Sequence, residues 1–342
     1  MSLKNLSVRN KIPNIFKSKL KNKKVSQIYK RFENSINLKQ NFIVAVSGGP
    51  DSMALAFLSK VYAIKNDLVS RFFIVDHKLR KESSAEAKKV KTVLKKLKIN
   101  AEILTWKGRK PNKNIQALAR KKRYNLLFLK CKQYEIDNIF LGHQQGDLIE
   151  NFFIRMIRGS GLRGLVSLDK KSQFKNINLF RPLIDEKKED LEFLSKNVFK
   201  FYVKDPSNDN EKFQRIKVRR LVESLKIEGL DKKKFVNTLK NLKHSDDVVN
   251  FYVKENFSKN TFFLSKKNRL VLNKFFFLQP YEVIFRTLSQ SVQLIGKKYY
   301  PVRGKKLDRI ISIIKKNQHF RTTLGGCLIE KVNQTVIISK EY

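Results

Sequence analysis

One short segment carries the residue types that bind phosphate. Residues 47–52 read Ser-Gly-Gly-Pro-Asp-Ser and follow an apolar run at 42–46. Free backbone N–H groups and the positive end of a helix dipole converge at such a turn, and glycines let the backbone approach a ligand and accept positive φ. We therefore expect an ATP phosphate site formed by Ser47, Gly48, Gly49, Pro50, Asp51 and Ser52.

The composition of this loop also indicates which bond of ATP is broken. No Gly-Lys-Ser/Thr follows, so the segment is not a Walker loop and supplies no lysine for a γ-phosphate. That suits attack at the α-phosphorus, with pyrophosphate held as the leaving group. Ser47 and Ser52 can add hydroxyl donors, and Asp51 is a candidate Mg²⁺ ligand. The alternative, a tight turn with incidental glycines, fits poorly with a position directly after a buried strand.

Polar residues after two later apolar runs are further candidates. Asp76 and His77 follow a second apolar run, at 72–75. There they either lie near the nucleotide or stabilise their own loop. A later apolar run, at 139–141, is followed by His143, Asp147 and Glu150. Asp147 and Glu150 share one face of a helix. At a helix N-terminus both carboxylates stay ionised, as an acidic site for a cationic substrate or for Mg²⁺. Two helix acids without a ligand are the alternative.

Arginines form a third set of candidates, suited to contact with phosphate groups or nucleic acid. They occur in pairs on a helix, on a Gly-rich loop and at i, i+4 on a later helix: Arg120 and Arg123, Arg158 and Arg163, Arg215 and Arg219. In a chain this basic, a solvated helix face or an ordinary basic turn is the competing interpretation of each pair.

The elements that position these residues alternate in type. Apolar runs at 42–46, 72–75, 101–106 and 139–141 predict buried strands, and helical patterns at 52–65, 85–97, 114–133 and 147–158 lie between and after them. This alternation predicts an α/β fold with a parallel, doubly wound sheet. A strand at 179–184 and a helix at 186–197 are expected to extend it.

The remaining chain divides into further segments. We expect a basic N-terminal extension (1–37), the catalytic domain (38–211), a basic, mainly helical domain (212–299) and a small C-terminal α/β domain (300–342) that contacts RNA. In the last, a helix at 305–316 precedes a hairpin of strands 323–331 and 335–340.

The composition indicates which class of partner the protein binds and where in the cell we expect it. Lys and Arg number 74 against 30 Asp and Glu, a formal charge of +44, which favours nucleic acid as a partner, although compositional drift can supply part of the lysine. Two distant cysteines, Cys131 and Cys327, argue against a disulfide scaffold, a zinc ribbon or a cysteine-held cluster. No apolar run approaches the ~20 residues of a membrane span, and no signal-peptide core is present, so we expect a cytoplasmic protein without membrane contact.

Six motifs in order resemble the tRNA(Ile)-lysidine synthases, within the N-type ATP pyrophosphatases (PP-loop superfamily). After the 47–52 loop they are Val75–Arg80 (VDHKLR), Asn114–Tyr124, His143 through Glu150, Arg158–Leu165, Arg181–Leu183 (RPL) and Asp205 through Arg219. Gly146 and Asn151 stand where the family usually has aspartate and threonine, a proline common downstream of Arg219 is missing, and the C-terminal part is short.

This resemblance implies a reaction and its partners. ATP, with Mg²⁺, adenylates O2 of the wobble cytidine of a CAU-anticodon isoleucine tRNA; free L-lysine then attacks C2 and expels AMP. His143, Asp147 and Glu150 would form the lysine site. Alternatives are another PP-loop tRNA enzyme such as a thiolase, which the two unpaired cysteines disfavour, a small-molecule ligase, and an RNA-binding protein with a vestigial loop. The oligomeric state stays open, with a homodimer as one expectation.

Overall fold

A computed structural model describes residues 12–106, 108, 115–174, 176–204, 214–265, 268–297, 302, 304–316 and 319–341, without the side chains of 116 and 117. It divides into two compact units, residues 1–236 and 237–342. Asn114, at the predicted start of a helix, and the Asp205–Phe213 part of the last motif lie outside the described residues. Within the described part, no helix is long and apolar enough to cross a membrane.

The first unit contains a six-stranded sheet in the order β3-β2-β1-β4-β6-β5. All neighbours are parallel except β5, which pairs antiparallel with β6. The strands are β1 (Phe42–Val46), β2 (Ser70–Asp76), β3 (Ala101–Thr105), β4 (Asn138–Phe140), β5 (Lys171–Phe174) and β6 (Ile177–Phe180). The predicted α/β fold with a parallel sheet is confirmed, while β5 was not predicted.

Helices cover both faces of this sheet, as alternating side chains along β1 require. Phe42, Val44 and Val46 enter one core, and Ile43 enters the core on the opposite face. The helices are α1 (Asn14–Leu20), α2 (Lys23–Asn34), α3 (Pro50–Lys65), α4 (Ser83–Lys96), α5 (Ile115–Tyr134), α6 (Gln145–Ile157), α7 (Leu162–Leu165), α8 (Lys188–Phe199) and α9 (Gln214–Ile227). The helices predicted between and after the strands match α3–α6 and α8 within two residues.

The N-terminal region differs from the basic extension that we predicted. Phe16 of α1 and Val25, Ile28 and Phe32 of α2 are at most 1% exposed and belong to the same core as β1 and α3. The many lysines concealed this amphipathic pattern, because they occupy the outer faces of both helices. Residues 14–34 are thus built into the first unit.

The second unit has its own sheet and core. Its helices α10 (Lys232–Asn260, beginning in the first unit), α11 (Tyr281–Ile295) and α12 (Gly304–Lys315) accompany an antiparallel sheet in the order β7-β8-β11-β10-β9. The strands are β7 (Thr261–Leu264), β8 (Arg269–Leu272), β9 (Arg321–Leu324), β10 (Cys327–Val332) and β11 (Thr335–Lys340). Buried residues of α11, α12 and this sheet form one cluster, so the predicted boundary at 299/300 falls between elements that share a core.

The strands of this unit differ from the prediction in two places. The region expected to be mainly helical does consist mostly of α9, α10 and α11, but it also contains β7 and β8. These strands were not predicted because four residues give too few positions for an alternating pattern to emerge. The single strand expected at 323–331 is two strands, β9 and β10, joined at Gly325 and Gly326. Both glycines have positive φ, +66° and +78°, as a tight hairpin turn of this type requires.

Candidate active site

The phosphate loop connects β1 to α3, as expected, but only one of its glycines is conformationally required. Gly48 has φ +89°, and a Cβ there would lie 2.7 Å from Cγ2 of Val90. Gly49 has an ordinary φ of −68°, caps α3, and would bring a Cβ no closer than 3.9 Å to another side chain. The expectation that both glycines accept positive φ is therefore wrong for Gly49.

Ser52 shapes this loop from within. Its Oγ accepts the N–H groups of Ser47 and Gly48, both at 3.1 Å, and donates to the carbonyl of Gly49 at 3.0 Å. Ser52 is buried, whereas Ser47 is exposed. The Ser52 hydroxyl thus holds the turn together, and Ser47 is the hydroxyl of the pair that remains accessible to a phosphate.

Distant segments hold the same loop in place. Ser195 of α8 donates its Oγ hydrogen to the carbonyl of Pro50 at 2.7 Å, and the N–H of Val203 donates to the carbonyl of Gly48 at 2.9 Å. The connection from β4 to α6 lies directly against α3, since a Cβ on Gly142 would be 3.2 Å from the Ser52 backbone. Nothing in the sequence around Ser195 or Val203 indicates these contacts.

Asp51, in the first turn of α3, has an unsatisfied carboxylate oxygen. Its Oδ1 is buried without a hydrogen-bond partner. Burial, followed by the nearby carboxylate of Asp147, raises the pKa of Asp51 to about 7, against a lowering effect of Lys188. Such an oxygen at a phosphate site fits a cation. No group of three His, Cys, Asp or Glu side chains with metal-binding geometry occurs among the described residues, so Mg²⁺ would need phosphate oxygens and water as further ligands.

Asp76 and His77 have different surroundings. Asp76 is 4% exposed and accepts hydrogen bonds from the Lys78 N–H, the Ser83 hydroxyl and the Ser84 hydroxyl at 2.9, 2.9 and 2.6 Å. Burial alone would raise the pKa of Asp76, but these bonds outweigh it and lower the pKa. This geometry favours the loop-stabilising interpretation for Asp76.

His77 keeps a nitrogen available for a ligand. Its ring meets that of Trp106 edge-on, and Nδ1 is buried without a partner. Burial and then Arg123 lower the pKa of His77, so the imidazole is neutral at pH 7.

The two acids of α6 have distinct partners. Asp147 caps the helix, since its Oδ2 accepts the Gln144 N–H at 3.0 Å. Glu150 is 7% exposed, and its Oε1 accepts from Nε and Nη2 of Arg219, both at 2.8 Å, while Oε2 is buried without a partner. Burial is the main cause that raises the pKa of both carboxyls, and Arg219 opposes it at Glu150.

His143 is surrounded by cations. Its Nδ1 is buried without a partner, and burial, followed by Arg181, Arg120, Arg123 and Arg215, lowers its pKa well below the usual range. Arg181, which sequence reasoning did not select although its RPL motif was noticed, is 4% exposed with an unpartnered Nε. Its position in the RPL motif was the sequence signal that could have identified it.

The structure brings most of the predicted residues together and leaves three outside. Asp147 acts electrostatically on Asp51 and Glu150, and Arg219 acts on all three acids. Arg120, Arg123 and Arg215 act on His143, and Arg215 also acts on Asp147 and Glu150. Arg158 instead donates to Oε1 of Gln214 at 2.7 Å, and Arg163 lies exposed on α7. Asp76 is engaged in its own loop.

This arrangement agrees with comparisons to known proteins. A PP-loop domain family model matches residues 18–225. A tRNA(Ile)-lysidine synthase of Orientia tsutsugamushi (strain Boryong) is 33% identical over 87% of this chain and 69% of its own length. One from Wolbachia pipientis wMel is 32% identical over 91% of this chain and 74% of its own.

Among solved structures, a U34-tRNA thiolase from Methanococcus maripaludis with its [4Fe-4S] cluster superposes with a TM-score of 0.56. It is 15% identical, over 65% of this chain and 79% of that one, so the likeness shows a common fold. The PP-loop match begins inside α1 and ends inside α9, covering every site residue described above. The chain is thus an ATP-using PP-loop enzyme and belongs to the tRNA(Ile)-lysidine synthase family.

Proposed function

We propose that this chain ligates L-lysine to C2 of the wobble cytidine, position 34, of a CAU-anticodon isoleucine tRNA. In the first step, O2 of the cytidine attacks the α-phosphorus of ATP and pyrophosphate leaves. In the second, the ε-amine of lysine forms a bond to C2, the C2–O2 bond breaks, and AMP leaves. A buried acidic group beside a phosphate loop supports this proposal best, because it offers a site for a cationic amine next to an adenylate.

The first step rests on the loop and its neighbours. Free N–H groups at the start of α3 and the Ser47 hydroxyl would hold the phosphates, and His77 would lie near the nucleotide. Asp51 would share Mg²⁺ with the pyrophosphate, which the ion would neutralise as it leaves. Arg120, Arg123 and Arg215 would contact the adenylate or the tRNA, and Arg158 and Arg163 the RNA backbone.

The second step needs an amine that is both recruited and deprotonated. Glu150 and Asp147 would bind the ammonium groups of lysine. His143 is a neutral imidazole at pH 7 with a free Nδ1. A neutral imidazole can accept the proton that the attacking amine releases. Because Arg219 now occupies Oε1 of Glu150, lysine would either take the free Oε2 or displace Arg219.

The cysteines weigh against thiolation. Cys131 and Cys327 are 2% and 0% exposed, and burial raises the pKa of Cys131 to about 12, which keeps its thiol protonated. A sulfur carrier needs an accessible thiolate. A cytoplasmic location and a homodimer remain part of the proposal.

The direct test is incubation with ATP, labelled lysine and CAU isoleucine tRNA, followed by nucleoside analysis. Lysidine should form, and a tRNA with uridine at position 34 should accept no label. ATP–pyrophosphate exchange should require the tRNA. Exchange without tRNA would indicate a small-molecule ligase. A thionucleoside formed when a sulfur donor replaces lysine in the incubation would indicate a thiolase.

A further inference from the structure

A cleft at the amino-terminal edge of the first sheet carries cations that the proposed reaction does not use. Its cavity of about 260 Å³ is lined by the start of β2, the chain before β3, α3 and the end of α5. The charged and polar lining includes Lys60, Ser70, Arg71, Lys98 and Asn100. Parallel strands begin at this edge and end at the phosphate loop, so the cleft lies at the opposite end of the sheet from the active site.

The positive charge of this cleft is poorly compensated. Among the described residues, no ion pair or side-chain hydrogen bond involves the ammonium groups of Lys60 or Lys98. Lys60 is half-buried, and that burial lowers its pKa. Glu102, the one acid in the lining, is paired with Lys130 at 2.6 Å. A half-buried ammonium without a counterion is stabilised when an anion binds beside it.

Neutral donors and an aromatic wall complete the cleft. Ser70 Oγ is buried without a hydrogen-bond partner, and Asn100, which is exposed, also lines the cleft. The Arg71 guanidinium lies 3.7 Å from the centroid of the Tyr134 ring, a contact that orients it without neutralising it. Side chains alternate along β2, so Arg71 and Ser70 approach the cleft from opposite faces of the sheet.

We propose that this cleft binds a phosphate group through Lys60, Arg71, Lys98, Ser70 and Asn100. The volume is smaller than the ~300–1,000 Å³ of sites for drug-sized ligands, which favours one or two phosphate units over a whole nucleotide. The phosphate belongs either to a free anion or to the backbone of bound RNA. Neither source requires the proposed chemistry at the other edge of the sheet.

The test uses the full chain with a saturating non-hydrolysable ATP analogue, so that the phosphate loop is occupied. Binding of inorganic phosphate and of pyrophosphate is measured by calorimetry, and tRNA affinity is measured across a salt series. The Lys60→Gln/Lys98→Gln pair is compared with Lys88→Gln/Lys91→Gln, which removes the same charge from exposed positions of α4 outside the cleft.

Two results support the site. The cleft pair should weaken phosphate or pyrophosphate binding by about tenfold or more, since charge-assisted hydrogen bonds are lost, while the control pair changes it less than twofold. If the cleft binds a phosphate of the RNA backbone, Lys60→Gln/Lys98→Gln should instead reduce the salt dependence of tRNA binding by about one counterion. The control variant Lys88→Gln/Lys91→Gln should leave that salt dependence unchanged.

Equal effects of the two pairs on every measurement, or none from either, would overturn the proposal and leave only the general field of a +44 chain. Thermal unfolding of each variant verifies that the fold is kept. tRNA-dependent ATP–pyrophosphate exchange should continue in both double variants, because neither changes the active site. Absence of exchange in the unchanged protein would contradict the proposed function and not the phosphate cleft, so the two proposals are tested separately.

Discussion

The contact between Glu150 and Arg219 predicts an asymmetry between two single substitutions. Arg219→Gln leaves a 7% exposed carboxylate without its cation, whereas Glu150→Gln leaves an arginine whose side chain is 41% exposed to water. Breaking a buried ion pair costs about 3–5 kcal/mol, but the exposure of Arg219 screens the pair, so we expect about 1–3 kcal/mol for Arg219→Gln. For Glu150→Gln we expect less than about 1 kcal/mol.

Kinetics separate the roles of the same residues. If Glu150 binds an ammonium of lysine, Glu150→Gln should raise the KM for lysine about 10–150-fold, corresponding to the ~1.5–3 kcal/mol of a charged hydrogen bond, while adenylation proceeds. Arg219→Gln should lower that KM if the guanidinium competes with lysine for Oε1. If Glu150 holds Mg²⁺ instead, adenylation itself should fall and excess Mg²⁺ should partly restore it.

The assays are urea unfolding at neutral pH, labelled-lysine incorporation and AMP release. Glu223→Gln is the matched control, because this exposed acid of α9 pairs only with its helical neighbour Lys226 among the described residues. Equal destabilisation by Arg219→Gln and Glu150→Gln would refute the burial argument. An unchanged lysine KM and an unchanged adenylation rate in Glu150→Gln would remove this acid from the mechanism.

Four further predictions follow from the fold and the loop. Gly48→Ala should strongly raise the KM for ATP and lower the melting temperature, because the new Cβ would lie too close to Val90 and the backbone there has positive φ. Gly49→Ala should be tolerated, and similar effects of both substitutions would contradict the loop geometry. Without metal, the folded protein binds the proton of Asp51 more tightly than the unfolded chain, because the pKa of Asp51 is raised to about 7. The resulting stability, on the order of 2–4 kcal/mol, is fully present below about pH 4 and is lost as pH rises to about 7. Urea unfolding should show this fall in the free energy of unfolding for the unchanged protein and not for Asp51→Asn. Deleting residues 1–37 should abolish cooperative unfolding by removing core residues, while deleting 1–11 should not, and a folded 38–342 chain would disprove the role of α1 and α2. tRNA affinity should fall steeply with salt, and a flat response would assign the +44 charge to composition.

The sequence predicted the central strands β2, β1 and β4 of the first unit well because they are largely buried on both faces. Runs such as Phe42–Val46 are wholly apolar and lie next to helical patterns, so element type and order follow from pattern alone. The short strands β7 and β8 and the helices α1 and α2 escaped prediction, because their apolar positions are few and are separated by lysines.

The site was predictable in its residue types but not in its internal bonds. The position of Asp147 at the start of α6 was expected, yet its capping of Gln144 depends on side-chain geometry. The pairing of Glu150 with Arg219 joins residues 69 positions apart through the packing of α6 on α9, which no local pattern encodes. The roles proposed for these residues stay predictions until the substitutions are measured.

The hydrogen bonds from Ser195 and Val203 to the phosphate loop have a consequence for how the protein matures. They join residues separated by about 150 positions, so the loop cannot acquire its final shape by local folding. Contacts of such sequence separation form late, after the intervening chain has been ordered. A nascent chain that has exposed β1, the loop and α3 therefore holds the local bonds of Ser52 but lacks these two. We expect the loop to reach its final geometry only after α8 and Val203 have been synthesised and have docked.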